Sequence, residues 1–330
     1  MGSFSSTISE QVGENMALKK AKTRRKLTKL EVHDNIFGLA FMSPVIFYLV
    51  VWLLLPILAA FILSFTNYDI LQHDLFNPVG TGLKFIGLTN YKITLMNPIF
   101  RKAVLQTMVY AFGSVIFTTF FGLLFAVIAH NAKGKTFFRI AYYIPCITSV
   151  TSLVVIFDAI FRKGTTVSNF LALFGLPATH WRFDPAMAMP LAIIMAVWSG
   201  AGYSMLIYLA GLQEIPKTVY EAADLDSASR FKQFLYITFP LLNNKTAFLM
   251  ITGFIGSLQV FEVLQLLAEY GEMPLMGGPE GKLWSVVYYI YYVGWTQNKM
   301  GRAAAVSFLL LLLIMIFTFI QRKLFPDKTY

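Results

Sequence analysis

Six long apolar runs constrain this chain more than any other feature. They cover residues 36–65, 103–129, 140–157, 185–213, 246–268 and 303–320, and only the fifth contains a charge, at Glu262. Crossing about 30 Å of hydrocarbon takes roughly 20 helical residues. Inside lipid every backbone polar group must be bonded internally, so an isolated apolar run of that length has to be helix. The expected fold is therefore an all-α membrane protein with six transmembrane helices. Pro44 and Pro56 predict kinks in the first run, since each removes a backbone donor. Composition agrees: 13% of residues are charged, against about 25% in soluble domains.

Six spans place both termini on one side of the membrane, and lysine and arginine decide which. Seventeen lie in the N-terminal tail, the 129–139 loop, the 213–245 stretch and the C-terminus, against ten in the opposite loops. The positive-inside bias predicts cytoplasmic N- and C-termini. It also assigns residues 1–35 to a basic cytoplasmic tail, 36–322 to the permeating domain and 323–330 to a second tail. The net charge of +10 then reads as topology and headgroup attraction rather than nucleic-acid binding. The first 35 residues run polar and then basic, so no cleavable leader is expected.

Little in the chain suggests catalysis or a metal. Cys146 is the only cysteine and lies in an apolar run, which predicts inert packing. Gly134-Lys135-Thr136 lacks the earlier glycine and the preceding strand of a phosphate loop, so the chain is not expected to hydrolyse ATP. His33, His73, His130 and His180 show no metal-ligand spacing. Intramembrane polar groups are better pointers, because each needs a partner or a wet cavity. Asp158 has Arg162 at i+4, the spacing of a local ion pair. Glu262, near Gln259 and Gln265, either faces a water-filled path or pairs with another helix. In the 269–302 loop, Trp284, Tyr288, Tyr289, Tyr291, Tyr292 and Trp295 read as an interfacial belt or docking surface.

The longest polar insert of the second half runs from Tyr220-Glu221-Ala222-Ala223-Asp224 through Asp226, Ser227, Ala228 and Phe231 to Phe234, Ile237 and Pro240. It reads as two short helices, with Pro216 in the first turn of one and Ser227 capping the other. Ala228, Phe231, Phe234 and Leu235 fall on one face of the second. This pattern resembles the cytoplasmic EAA loop of permease subunits in binding-protein-dependent ABC importers. The likeness extends from Trp198 to Phe261, where it resembles the maltose-type, multiple-sugar branch. Phe85-Ile86-Gly87-Leu88-Thr89-Asn90-Tyr91 also resembles a recurrent segment of sugar permeases.

The resemblance implies the type I ABC importer permease fold in a bacterial cell membrane. It implies a second homologous permease, two ATPase subunits that hold ATP and magnesium, and an extracytoplasmic sugar-binding protein. The substrate would be a carbohydrate, this chain would bind no cofactor, and the mechanism would be alternating access. Coupling to the ATPase would run through the insert at 213–242. Ser227 stands where that family usually has glycine, and the expectation is a turn that avoids positive φ.

Ser199, Gly200 and Tyr203 share one helical face, as do Gly253, Gly256, Ser257 and Val260. Periodicity alone reads both faces as close helix packing. The resemblance implies instead that these seven positions, with Gln259 and Glu262 nearby, line the sugar path. Two rivals remain: an ATP-independent secondary transporter of a polar solute, which needs no ATPase, and a membrane-embedded enzyme, which needs a catalytic constellation.

Overall fold

The computed structural model describes residues 29–74, 82–131, 134–271 and 274–324. Expectations for residues 1–28 and 325–330 lie outside them. The chain divides into two compact units, Met1–Ala59 and Ala60–Tyr330. Among the described residues almost all regular structure is helical, with one isolated bridge between Thr66 and Phe85.

The first helix begins at Lys29, inside the stretch assigned to the tail. It runs as α1 (Lys29–Leu49), a π segment at Val50–Leu54, and α2 (Leu55–Ser64). The prolines do not end it. Pro44 cannot bond the Ala40 carbonyl, and Ser43 Oγ donates to that oxygen at 2.7 Å instead. The π turn ends just before Pro56, and Leu55 N–H reaches back five residues to the Val50 carbonyl. Phe41, Phe47, Trp52 and Leu58 are all exposed, an apolar surface suited to lipid.

The second unit is built on α3 (Thr89–Met96), α4 (Pro98–Asn131) and α8 (Ala188–Glu214), with α5 (Lys135–Tyr143), α6 (Val150–Ile160) and α7 (Thr166–Ala172) between the last two. Small residues let its central helices approach closely. A Cβ at Gly122 would lie 2.3 Å from Ser204 Cβ, and one at Gly202 would lie 2.1 Å from the Tyr142 carbonyl oxygen. No larger residue fits either place without moving backbone.

Two predicted spans are broken. The third bends by 97° between Thr136–Ile147 and Val150–Ile160. Pro145 tightens the chain into a 3-10 turn, Thr148 turns extended, and Ser149 caps a new helix by accepting from Ser152 N–H at 3.2 Å. The fifth bends by 43° between α11 (Asn243–Leu258) and α12 (Glu262–Glu269). At that break the Val260 carbonyl accepts from Ser285 Oγ at 2.6 Å. Among the described residues four helices are thus long and apolar enough to cross a membrane, and up to six spans result if each bent pair counts as one.

Three of the six 269–302 aromatics lie in the core and so do not join an interfacial belt. Trp284, Tyr288 and Tyr289 are buried in the main core beside α13 (Val286–Tyr291), while Trp295 is exposed. Tyr288 donates to the Glu269 carboxylate, which gives its hydroxyl a partner at depth. The last helix, α14, spans Met300–Leu324 and so passes the boundary predicted at residue 322.

Ion pairs gather at helix ends. Asp158 is paired through Oδ2 with Arg162 at 3.1 Å, as its spacing predicts, and through Oδ1 with Arg182 at 3.7 Å, and Oδ1 is also hydrogen-bonded to His180 Nε2 at 2.9 Å. Burial pulls the Arg182 guanidinium below its usual range, and Asp158 works against that shift. Arg182 further donates to the carbonyls of Leu267 and Tyr270, tying the loop before α8 to the end of α12. Asp69 bonds Lys299 at 2.6 Å. The segment that starts at Phe85 clamps the end of α2: Asn90 Nδ2 donates to the Ser64 and Thr66 carbonyls at 2.9 and 2.8 Å.

Candidate functional site: an internal cavity and an exposed insert

A cavity of about 530 Å³ opens between α4, the bend after α5, α8 and α11. From α8 it receives Ser199, Gly200, Tyr203 and Ser204, and from α11 Thr252, Gly253 and Ser257. Five of the residues expected on the path are therefore brought together. Tyr203 is 45% exposed, free to meet a ligand.

The two helices do not face each other alone. Between them α4 supplies Ser114, Val115, Thr118 and Thr119, a wall the sequence reading missed. Its signal was present, since Ser114 and Thr118 are i, i+4 hydroxyls on one face of an apolar helix. The bend adds Cys146 and Thr148. Cys146 is thus a cavity-lining thiol rather than core packing, because the break at Pro145 turns that segment inward.

The glycines divide by role. A Cβ on Gly200 would come within 3.0 Å of Thr118 Cγ2, and one on Gly253 within 3.1 Å of Val115 Cγ1. Both are close-packing positions against α4, as periodicity alone suggested, and they also border the cavity. Gly256 has nothing within 4 Å of its would-be Cβ and is not among the lining residues. Val260 packs toward the main core. Gln259 is exposed and donates to the Ile255 carbonyl at 3.1 Å. Glu262 opens α12 and is exposed, a place where its negative charge suits the helix dipole. Gln259, Val260 and Glu262 follow the bend out of line, so a straight-helix period misplaces them, whereas Gly256 lies before the bend on an exposed side of α11.

The insert forms α9 (Lys217–Leu225), a tight turn and α10 (Arg230–Gln233), followed by a π segment at Phe234–Thr238. Pro216 caps α9 rather than entering it. Ser227 has φ +55°, so the expected avoidance of positive φ fails. The turn needs that conformation because Ser227 N–H bonds the Asp224 carbonyl and Ala228 N–H the Ala223 carbonyl, both at 3.0 Å. A serine there carries the Cβ–carbonyl crowding that glycine lacks. The cap of α10 is Ser229, whose Oγ accepts from Lys232 N–H at 3.4 Å.

Buried Gln233 fastens the turn by donating to Asp224 Oδ1 at 2.5 Å and to the Ala228 carbonyl at 3.0 Å. Arg230 lies 3.8 Å from Asp224, exposed and weakly held. Tyr220 and Thr238 hydroxyls meet at 2.9 Å across the insert. The predicted single apolar face of Ala228, Phe231, Phe234 and Leu235 splits between half-buried and exposed positions. Phe234 and Ala223 turn toward the chain, whereas Leu225, Phe231 and Tyr236 stand exposed. Glu221, Ala222, Asp226 and Ser227 are exposed as well, and Ala228 is half-buried.

Residues 118–330 match the family described as the binding-protein-dependent transport system inner membrane component. The chain is 33% identical over 288 residues to the arabinooligosaccharides transport system permease protein AraP of Bacillus subtilis (strain 168), covering 86% of this chain and 87% of that protein. It is 29% identical over 299 residues to the lactose transport system permease protein LacF of Rhizobium radiobacter, covering 89% and 95%. A solved bacterial ABC transporter involved in import of the acidic polysaccharide alginate shares the fold. There the TM-score is 0.74 at 19% identity, over 91% of this chain and 98% of that one.

Proposed function

This chain belongs to the family of inner membrane components of binding-protein-dependent transport systems, and from that premise we propose that it is the permease subunit of an ATP-driven oligosaccharide importer. It forms half of the translocation path, and a second homologous permease forms the other half. The observation that carries this reading is the cavity itself: hydroxyls from three helices and from the bend at Thr148 converge on a space of about 530 Å³, within the range of small-ligand sites. Tyr203 offers a flat apolar face for a pyranose ring and a hydroxyl for its oxygens. Ser199, Ser257, Thr252 and Thr118 surround it.

The exposed insert is the contact for the ATPase subunit. Leu225, Phe231 and Tyr236 leave apolar area in water, and docking would recover about 1.5–3 kcal/mol for each fully buried large side chain. Two ATPase subunits bind ATP and magnesium, and this chain holds neither. Closure of the ATPase pair moves the insert, and α8 and α11, which flank it in sequence, carry that motion to the cavity walls. ATP supplies the bias because it binds the closed pair better than the open one. Both termini lie in the cytoplasm with the insert, and an extracytoplasmic sugar-binding protein delivers the substrate from outside.

Reconstitution tests the whole reading. The chain, its partner permease, the ATPase subunits and the binding protein are placed in proteoliposomes with labelled oligosaccharides. Uptake is expected only with ATP and all components. Uptake without ATPase subunits would instead establish an ATP-independent transporter.

A further inference from the structure

The fold leaves the charge of the substrate open, since the same fold serves an importer of acidic polysaccharide. The lining of this cavity is more specific. Among the described residues that line it there is no Asp, Glu, Lys, Arg or His, and nine side chains carry hydroxyls.

The directions of those hydroxyls decide what they can bind. Ser114 Oγ donates to the Tyr110 carbonyl at 2.7 Å, and Thr252 Oγ1 to the Phe248 carbonyl at 2.7 Å. Thr148 Oγ1 donates to the Ile144 carbonyl at 3.1 Å, and Ser199 Oγ to the Ala196 carbonyl at 3.2 Å. Ser257 Oγ lies 3.2 Å from Ser114 Oγ. Because the Ser114 proton is already committed to its helix, Ser257 is the donor in that pair. Each hydroxyl has one proton and two lone pairs. Five of the nine protons are therefore spent inside the protein, and what these groups offer the cavity is lone pairs.

We infer that this chain's half of the path selects neutral glycans and disfavours uronate-containing ones, an inference that rests on the cavity being the sugar path. A sugar hydroxyl is itself a donor and satisfies a lone-pair lining. A carboxylate accepts only, so it meets the same lone pairs as repulsion and finds no cation to offset its lost hydration. Donors remain at Tyr203, Thr118, Thr119 and Ser204, enough to bond ring and glycosidic oxygens but not to neutralise a charge.

Cys146 provides a reporter inside the cavity. In the complete transporter, its rate of alkylation by N-ethylmaleimide is followed by mass spectrometry of the peptide that contains it. The probes are a pool of arabino-, galacto- and malto-oligosaccharides, and the same pool with its primary alcohols oxidised to carboxylates. The neutral pool is expected to protect Cys146 at concentrations at least tenfold lower than the oxidised pool. Thr252→Arg, which places a cation on the lining, is expected to narrow or reverse that ratio. Equal or better protection by the oxidised pool overturns the inference while leaving the transport reading intact. Protection by neither pool, in a complex that imports the neutral one, overturns the cavity assignment and the inference together.

Discussion

The cavity and the insert are built on opposite principles, although α8 and α11 connect them directly. Hydroxyls line the cavity, five of their nine protons spent inside the protein, and small residues hold its walls together. The insert is short, charged and open, with apolar side chains left in water and a strained residue at its turn. A path must accept a polar ligand without holding it, which suits weak, uncharged contacts. A lever must be gripped by a partner, which suits exposed apolar area and one bond network that keeps its shape.

Four perturbations can break or sharpen this contrast. The largest effect is expected from Leu225→Asp with Phe231→Asp. Removing two exposed anchors takes on the order of 3–6 kcal/mol from the docking interface, so co-purification of the ATPase subunit should fall more than a hundredfold while membrane insertion is kept. Normal assembly would strip the insert of its assigned role. Ala223→Asp probes something else: Ala223 is buried within the insert, and the change should disturb its fold first.

In the cavity, Ser199→Phe or Tyr203→Ala should lower uptake about tenfold, the size of a 1.4 kcal/mol change in binding. ATPase subunits should still co-purify and still hydrolyse ATP. Gly256→Phe, which adds a ring away from the lining, should leave uptake nearly unchanged. If Gly256→Phe blocks uptake and Ser199→Phe does not, the cavity has been placed on the wrong face of α11.

A smaller effect is expected at the turn. Ser227→Gly removes a Cβ from a residue at φ +55° and should stabilise the insert by about 1 kcal/mol. Hydrogen exchange across α9 and α10 should slow accordingly. No change in exchange would mean that the turn is not strained by its serine.

The smallest concerns pH, and it separates the charged ends from the charge-free cavity. The bond from Lys299, with the Leu71 backbone N–H, holds the Asp69 carboxyl below its usual range. A carboxyl lowered on folding contributes stability above its unfolded pKa and loses it as pH falls through the folded one. Thermal unfolding in nanodiscs should therefore drop slightly earlier on acidification for the native chain than the cavity chemistry alone would require. Lys299→Met should flatten that part of the profile, and an unchanged profile would remove the bridge from the account.

Much of this molecule was legible in the sequence because lipid leaves so few choices. Apolar length dictated helices, and lysine and arginine bias set an expected topology. The Asp158–Arg162 pair followed from i+4 spacing, and the insert was visible as a polar interruption with its own apolar residues. Ser199, Tyr203 and Ser257 were found from helical period combined with family resemblance. Tertiary structure decided the rest, for identifiable reasons. Pro145 and Ser149 together broke the third span, which brought Cys146 and Thr148 to the cavity. Packing against the rest of the chain half-buried Phe234 and left Phe231 outside. Ser227 took positive φ because two backbone bonds of the turn require it. Local sequence fixes what each segment prefers, while bends, wall partners and hydroxyl directions depend on which neighbours arrive, and α4 between α8 and α11 was such a neighbour.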